Sequence, residues 1–196
     1  MATGADNFNR ADGALSGSTA SDGVNTWSVT GGSWAIFTNR LEWNAPGSVD
    51  FVAWMNSLPN CATQTVSVVF NESDIGVVAR YNVTSGIGTF YMAWASGGTY
   101  VLGKYINGST FTTLGTGGTY ALGDTITLDC NGTSLTVKQN GSTIITATDS
   151  AISTGKAGLY AGGNPGAKIY DDFAFTGTAD SGGSVAKSVP WFFLNQ

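Results

Sequence analysis

The sequence has 196 residues and no histidine, and that absence decides most of its chemistry. Without an imidazole there is no Ser-His-Asp or Cys-His nucleophile, and the commonest metal ligand and near-neutral proton shuttle are missing too. Glycoside hydrolysis passes this filter, because it needs only two carboxylates about 5–10 Å apart. The glutamates are Glu42, in Arg40-Leu41-Glu42-Trp43, and Glu72, in Phe70-Asn71-Glu72-Ser73. Glu72 sits where a strand-like run gives way to a loop and reads as a solvated rim charge. Glu42 is the better acid, yet no second carboxylate stands two residues away on the same strand face.

Oxygen-rich segments are the next resource. Asp6, Asp12 and Asp22 lie near the N-terminus, and Asp171-Asp172 precede Phe173 in the last strand-like run. Calcium takes six to eight oxygen ligands, which makes Asp6, Asp12, Asp171 and Asp172 candidate ligands. The competing role is local: Asp bonds its own backbone in turns and caps. Cys61 and Cys130 are too few for a disulfide framework or a zinc site and read as buried thiols, with a single disulfide as the alternative. No glycine-rich phosphate loop follows a strand and opens a helix, so no cofactor is required. Aromatic residues remain. Tyr81, Tyr91, Tyr100 and Tyr105 lie on central strand-like runs and are candidates for a face that stacks on sugar rings, whereas Trp34 alternates with Ile36 and reads as core.

These residues must be positioned by strands. Gly, Thr and Ser supply 72 of 196 residues and charged residues only 11%, which excludes a helical bundle. A hydrophobic fraction of 42% excludes disorder. The net charge of −5, with eight scattered Lys and Arg, excludes a nucleic-acid interface. No window reaches the roughly 20 apolar residues of a membrane span, and MATGADNFNR has no signal-peptide pattern. That predicts a chain not exported through a cleaved leader, with its five Asn-x-Ser/Thr sequons unmodified.

Fourteen short apolar or alternating runs recur about every ten residues between Val24 and Phe175, the spacing of an all-β sandwich or barrel. Asn140-Gly141 and Asn131-Gly132 predict type I′ hairpins, with Asn107-Gly108 as a third, and the Gly-Gly pairs read as loops. Residues 1–176 form one domain. Gly177–Val185 opens a flexible linker to residue 187, and Ser188–Gln196 forms an apolar tail. Its cluster Pro190-Trp191-Phe192-Phe193-Leu194 is a hazard in water and is expected to dock, on its own sandwich or on a partner subunit.

Two segments carry a resemblance. Asp6-Asn7-Phe8-Asn9-Arg10-Ala11-Asp12-Gly13, with Trp27 and Gly32-Ser33-Trp34-Ala35-Ile36, resembles the opening of concanavalin A-like (laminin G and glucanase type) jelly rolls. Gly155-Lys156-Ala157-Gly158-Leu159-Tyr160 and Tyr170-Asp171-Asp172-Phe173 resemble their last two strands, and Leu135–Ile145 their hairpin. The resemblance implies a two-sheet antiparallel jelly-roll sandwich in which first and last strands pair. Members include lectins, carbohydrate-binding modules, glycosidases and virion proteins. The glucanase motif Glu-x-Asp-x-x-Glu is missing, so the resemblance carries no catalytic residues.

Three functional readings follow. The first is a non-enzymatic structural protein of a bacteriophage particle (capsid decoration, tail or fibre), located in the virion. It would be held to other subunits or to copies of itself by its tail and would adhere to cell-surface glycans. The second is a carbohydrate-binding, lectin-like module, with calcium as a candidate ligand. The third is a glycoside hydrolase using Glu42.

Overall fold

The computed structural model describes residues 1–44, 51–162 and 167–179, and over these the chain is all-β, without a helix. One antiparallel sheet has nine strands: β1 (Ala2–Asp6), β2 (Gly13–Ala14), β4 (Ser33–Phe37), β5 (Arg40–Asn44), β7 (Cys61–Phe70), β12 (Asp124–Asn131), β13 (Ser134–Gln139), β14 (Ser142–Thr148) and β16 (Ala167–Ala179). The other has seven: β3 (Trp27–Val29), β6 (Phe51–Met55), β8 (Ile75–Asn82), β9 (Thr89–Ser96), β10 (Thr99–Ile106), β11 (Thr110–Thr119) and β15 (Lys156–Ala161). All fourteen runs are strands. β1 and β2, short and without an apolar pattern, escaped sequence reasoning.

The nine-stranded sheet runs β14-β13-β12-β7-β16-β5-β4-β2. β16 is its spine. One edge pairs with β7; the other is shared by β5, along Ala167–Tyr170, and β1, along Phe173–Gly177. The first and last strands therefore pair, as the resemblance implies. β16 also runs past residue 176: Gly177, Thr178 and Ala179 pair with Gln64, Thr63 and Cys61, so they are strand and not linker. Backbone pairing needs no apolar side chain, which is why composition misplaced that boundary. The rest of the linker and the cluster Pro190-Trp191-Phe192-Phe193-Leu194 lie outside the described residues.

Turn chemistry fixes the register. Asn140 and Gly141 both have positive φ (50° and 83°), as do Asn107 and Gly108 (53° and 66°). The hairpin after β12 differs. Asn131 pairs with Ser134, so its two-residue loop is Gly132-Thr133, with positive φ at Gly132 and not at Asn131. Side-chain alternation places Cys130 and Leu135 on the core side, and that register moves the turn by one residue. Gly117-Gly118 is likewise strand and not loop. A Cβ at Gly117 would come within 2.5 Å of the Ile144 carbonyl, so this position lets β11 approach β14 at the open edge of the sandwich.

Between the sheets lies a single large core. Val66, Val68 and Phe70 of β7 and Ile126, Leu128 and Cys130 of β12 face Ile75, Val77 and Ala79 of β8, and Tyr91 and Ala93 of β9. Cys61 and Cys130 are buried free thiols, and burial pushes Cys130 up to about 12.

Each end of the core is pinned by a buried charge. Arg80 is 1% exposed and sits at φ 53° in a bulge of β8. Its Nε and Nη2 donate to the Ala62 carbonyl, Nη2 also to Gly132, and Nη1 to Ile152. One guanidinium thus ties the start of β7, the β12–β13 turn and the β14–β15 connection. At the other end Asp124 accepts from the Tyr100 hydroxyl (2.7 Å), the Ala121 amide, Gln139 and Asn140. Burial acts to raise its pKa, but the hydrogen bonds from Tyr100, the Ala121 amide, Asn140 and Gln139 outweigh it and hold the carboxyl below the ordinary range. Asp149 behaves the same way, its burial outweighed by Lys104, Tyr91 and the Ala151 amide.

Two outcomes follow. Arg80→Met strips the donor from the buried Ile152 carbonyl and from the less buried Ala62 and Gly132 carbonyls, and should lower stability by about 3 kcal/mol, a Tm drop of roughly 6–12 °C in a domain this size. Calorimetry checks this, and a change under about 2 °C would remove the clamp from the account. Asp124 and Asp149 have depressed folded-state pKa values. Their contribution is complete above an unfolded pKa of about 3.9 and is lost as pH falls through the folded values. Thermal melts should therefore hold level above about pH 5 and decline below about pH 4, with a shallower decline in Asp124→Asn; equal slopes in both proteins would contradict it.

Candidate functional site

The four candidate tyrosines divide by strand parity. In β9, Tyr91 points into the inter-sheet core with Ala93 and Ala95, whereas Phe90, Met92 and Trp94 point outward. In β10, Tyr100 points inward and Tyr105 outward. Tyr91 donates to Asp149 (2.6 Å) and Tyr100 to Asp124, and burial raises both phenols well above their ordinary value. Neither can stack on a sugar. Tyr81 faces outward, but it is 1% exposed and its phenol is pushed up to about 12 by burial, so it too is closed to a sugar ring. Tyr105 alone of the four is half-buried.

Tyr81 and Tyr105 belong to a larger set that sequence reasoning missed. Trp54, Tyr81, Phe90, Trp94, Tyr105, Phe111 and Tyr160 form one connected ring network on the outward face of the seven-stranded sheet, separate from the inter-sheet core. Ring centroids lie 4.9 Å apart for Trp54–Tyr81, 5.3 Å for Phe90–Tyr105, 5.2 Å for Tyr105–Phe111 and 5.7 Å for Trp94–Tyr160. Glycine makes room for them: a Cβ at Gly103 would overlap the Phe111 ring at 2.5 Å. The readable signal was that Ile75–Tyr81 and Phe90–Ala95 are almost wholly non-polar at every position, the mark of a strand covered on both faces.

The nine-stranded sheet shows the opposite character over β7, β12 and β13. An open groove of about 460 Å³ lies there, within the usual size range of ligand sites. Thr63, Thr65, Asp129, Asn131, Ser134, Thr136 and Lys138 line it. Asp129 pairs with Lys138 (2.6 Å) and accepts from Thr65 (2.7 Å). Among the described residues, no side chain engages the polar groups of Thr63, Asn131, Ser134 or Thr136. A second recess, of about 580 Å³, lies at a loop end, and several of its polar groups already bond one another. Asn82 donates to Thr154, and Thr84 and Thr89 bond each other.

The acidic candidates do not converge. Asp6 is fully buried: one carboxylate oxygen accepts from Arg10 and the Phe8 amide, the other from the Trp27 indole (2.8 Å). Those donors leave it no free face for calcium; it knits the opening segment together. Asp12 bonds neither its own backbone nor another candidate: it accepts from the Thr38 amide, 26 residues further on at the β4–β5 turn. Asp171 has its pKa raised by burial and by the adjacent Asp172, which lies at φ 48° in a bulge of β16. Among the described residues no three acidic or cysteine side chains gather to hold a metal, so the predicted calcium ligands do not form a site. Glu42 lies in β5 opposite Ala35 and Ile169, and Glu72 accepts from its own neighbour, the Ser73 amide.

No family model and no curated protein matches the chain. Solved structures do. The carbohydrate-binding module CBM66 from Bacillus subtilis superposes with a TM-score of 0.62 at 16% identity, covering 74% of this chain and 92% of its own. A protein of unknown function with a galectin-like fold, also from Bacillus subtilis, gives 0.62 at 14%, covering 85% and 94%. The exoplasmic domain of VIP36, in its Ca2+/Man3GlcNAc-bound form, gives 0.55 at 12%, covering 79% and 84%. Crh5 transglycosylase gives 0.59, covering 92% and 85%, and 39% of the GH43 protein BlXynB from Bacillus licheniformis superposes at 0.57. These likenesses establish the fold: the chain is a galectin- and concanavalin A-like jelly roll.

Proposed function

We propose that this protein is a non-catalytic carbohydrate-binding module whose ligand lies in the groove of β7, β12 and β13. One observation carries the reading: Thr63, Asn131, Ser134 and Thr136 present unengaged polar side chains around the Asp129–Lys138 pair. A sugar hydroxyl both donates and accepts, and a carboxylate beside an ammonium serves both needs with charge-assisted bonds. Strands hold these groups more rigidly than loops would. The likeness to CBM66 and VIP36 supports the ligand class.

The bacteriophage reading, with its virion partners, self-association and location, rests on the tail Ser188–Gln196, which lies outside the described residues, and on the lack of catalytic groups, and gains no support from the fold. It stays an alternative setting for the same module, to be tested by incorporation of a chain lacking Pro190–Gln196 into particles.

Glycan arrays followed by calorimetry test the proposal. Asp129→Ala and Lys138→Ala should each weaken binding at least about tenfold, near 1.4 kcal/mol, with unchanged circular dichroism. Affinity should survive a chelator, because one carboxylate, that of Asp129, lines the groove, too few for the six to eight oxygens calcium takes. Binding unaffected by either substitution would remove the site, and release of reducing ends from any bound polysaccharide would overturn the non-catalytic reading.

A further inference from the structure

Resting on the glycan site proposed above, we infer that its ligand is the interior of a linear, neutral polysaccharide lying across the strands. The chain would be held by a rank of threonine hydroxyls that extends past the groove on both sides.

Strand register sets this rank. Thr3 of β1 pairs with Thr176 of β16, Thr176 with Thr65 of β7, Thr65 with Asp129 of β12, Asp129 with Thr136 of β13, and Thr136 with Thr146 of β14. Their neighbours Phe175, Val66, Leu128, Leu135 and Ile145 point into the core, so the rank points outward. Five threonines and one aspartate thus cross six adjacent strands, a span of about 24 Å at the spacing of paired strands. Two residues along each strand, about 7 Å away, a second rank pairs Thr178 with Thr63, and Ser134 with both Asn131 and Thr148.

Threonine is common on strands. Its alignment here and its free hydroxyls point to a ligand. Among the described residues the hydroxyls of Thr3, Thr136, Thr146 and Thr176 make no hydrogen bond, and in that rank Thr65 is engaged by Asp129. A β-branched side chain is stiff at χ1, so these hydroxyls are preset and lose little freedom when bound.

Three features define the ligand class. The groove over β7, β12 and β13 is not closed at its sides: the rank continues onto exposed Thr176 and Thr3 in one direction and onto exposed Thr146 in the other. A polymer can leave both ways, whereas a reader of chain ends needs a wall. The charged residues lining the groove, Asp129 and Lys138, pair with each other at 2.6 Å, so no surplus charge recruits an acidic or sulfated glycan. No aromatic ring lines the groove, so contact runs along hydroxyl-bearing sugar edges, where a threonine hydroxyl both donates and accepts. Each contact is weak, and affinity must accumulate along the chain.

Calorimetry with neutral oligosaccharides cut from cellulose, xylan and mannan, from trisaccharide to hexasaccharide, tests this on the full chain and on Thr146→Val and Thr176→Val. Valine keeps the branched shape and strand preference while removing the hydroxyl. Affinity should rise at least about tenfold with length in one series, and it should be unchanged when the reducing end is converted to the alditol. Each variant should lose hexasaccharide binding several-fold and trisaccharide binding less, with unchanged circular dichroism. Equal affinity at every length, or variants that bind the hexasaccharide as the parent does, would overturn the inference; the groove itself would survive if Asp129→Ala still weakens binding. Tighter binding to polygalacturonate than to every neutral series would overturn it too, as would no binding to any series, with the glycan array deciding the groove separately.

Discussion

A strand shows its side chains alternately to two faces, so a sheet that is apolar on both must be covered on both. That constraint governs this molecule. The seven-stranded sheet spends Ile75, Val77, Tyr91 and Ala93 on the inter-sheet core, and Val78, Tyr81, Phe90 and Met92 on a second layer behind it. The nine-stranded sheet spends Val66, Val68, Ile126 and Leu128 inward and keeps Thr65, Asp129, Asn131 and Lys138 for its outward groove. The two sheets are therefore unequal: one carries a polar-lined groove on its outward side, the other an aromatic layer.

Buried charges hold this arrangement at its ends. Arg80 gives its guanidinium to carbonyls of three segments with no carboxylate among its hydrogen-bond partners, so its role is to satisfy backbone where strands stop. Asp124 does the complementary work with four donors from β10, the turn before β12 and the β13–β14 hairpin. Asp149 joins Lys104 and Tyr91 across the sheets. Much of the sparse charge of this chain is thus structural, which explains why so few carboxylates remain for a ligand.

Strand existence was legible because it depends on local alternation and turn residues: Asn140-Gly141 announces a type I′ hairpin wherever it occurs between such runs. Register and facing were less legible. Tyr91 and Trp94 sit three residues apart in β9, one in the core and one outside, and with every neighbour apolar no pattern separates them. Thr38-Asn39 turns β4 into β5 with both residues at positive φ and no glycine to advertise it. The bulge at Arg80 shifts the phase of β8, and bulges leave no compositional trace. The groove is assembled from β7, β12 and β13, with up to 75 residues between Thr63 and Lys138, so its pairing came only with the fold.

The decisive question is which sheet meets the ligand. Titrating the isotope-labelled protein with the oligosaccharide it binds, and following amide and indole chemical shifts by NMR, tests this directly. The prediction is a contiguous set of shifts over Thr63, Thr65, Asp129, Asn131 and Lys138, with the indoles of Trp54 and Trp94 unmoved. Shifts concentrated on those indoles and on Tyr105 would contradict it and move the ligand to the aromatic face.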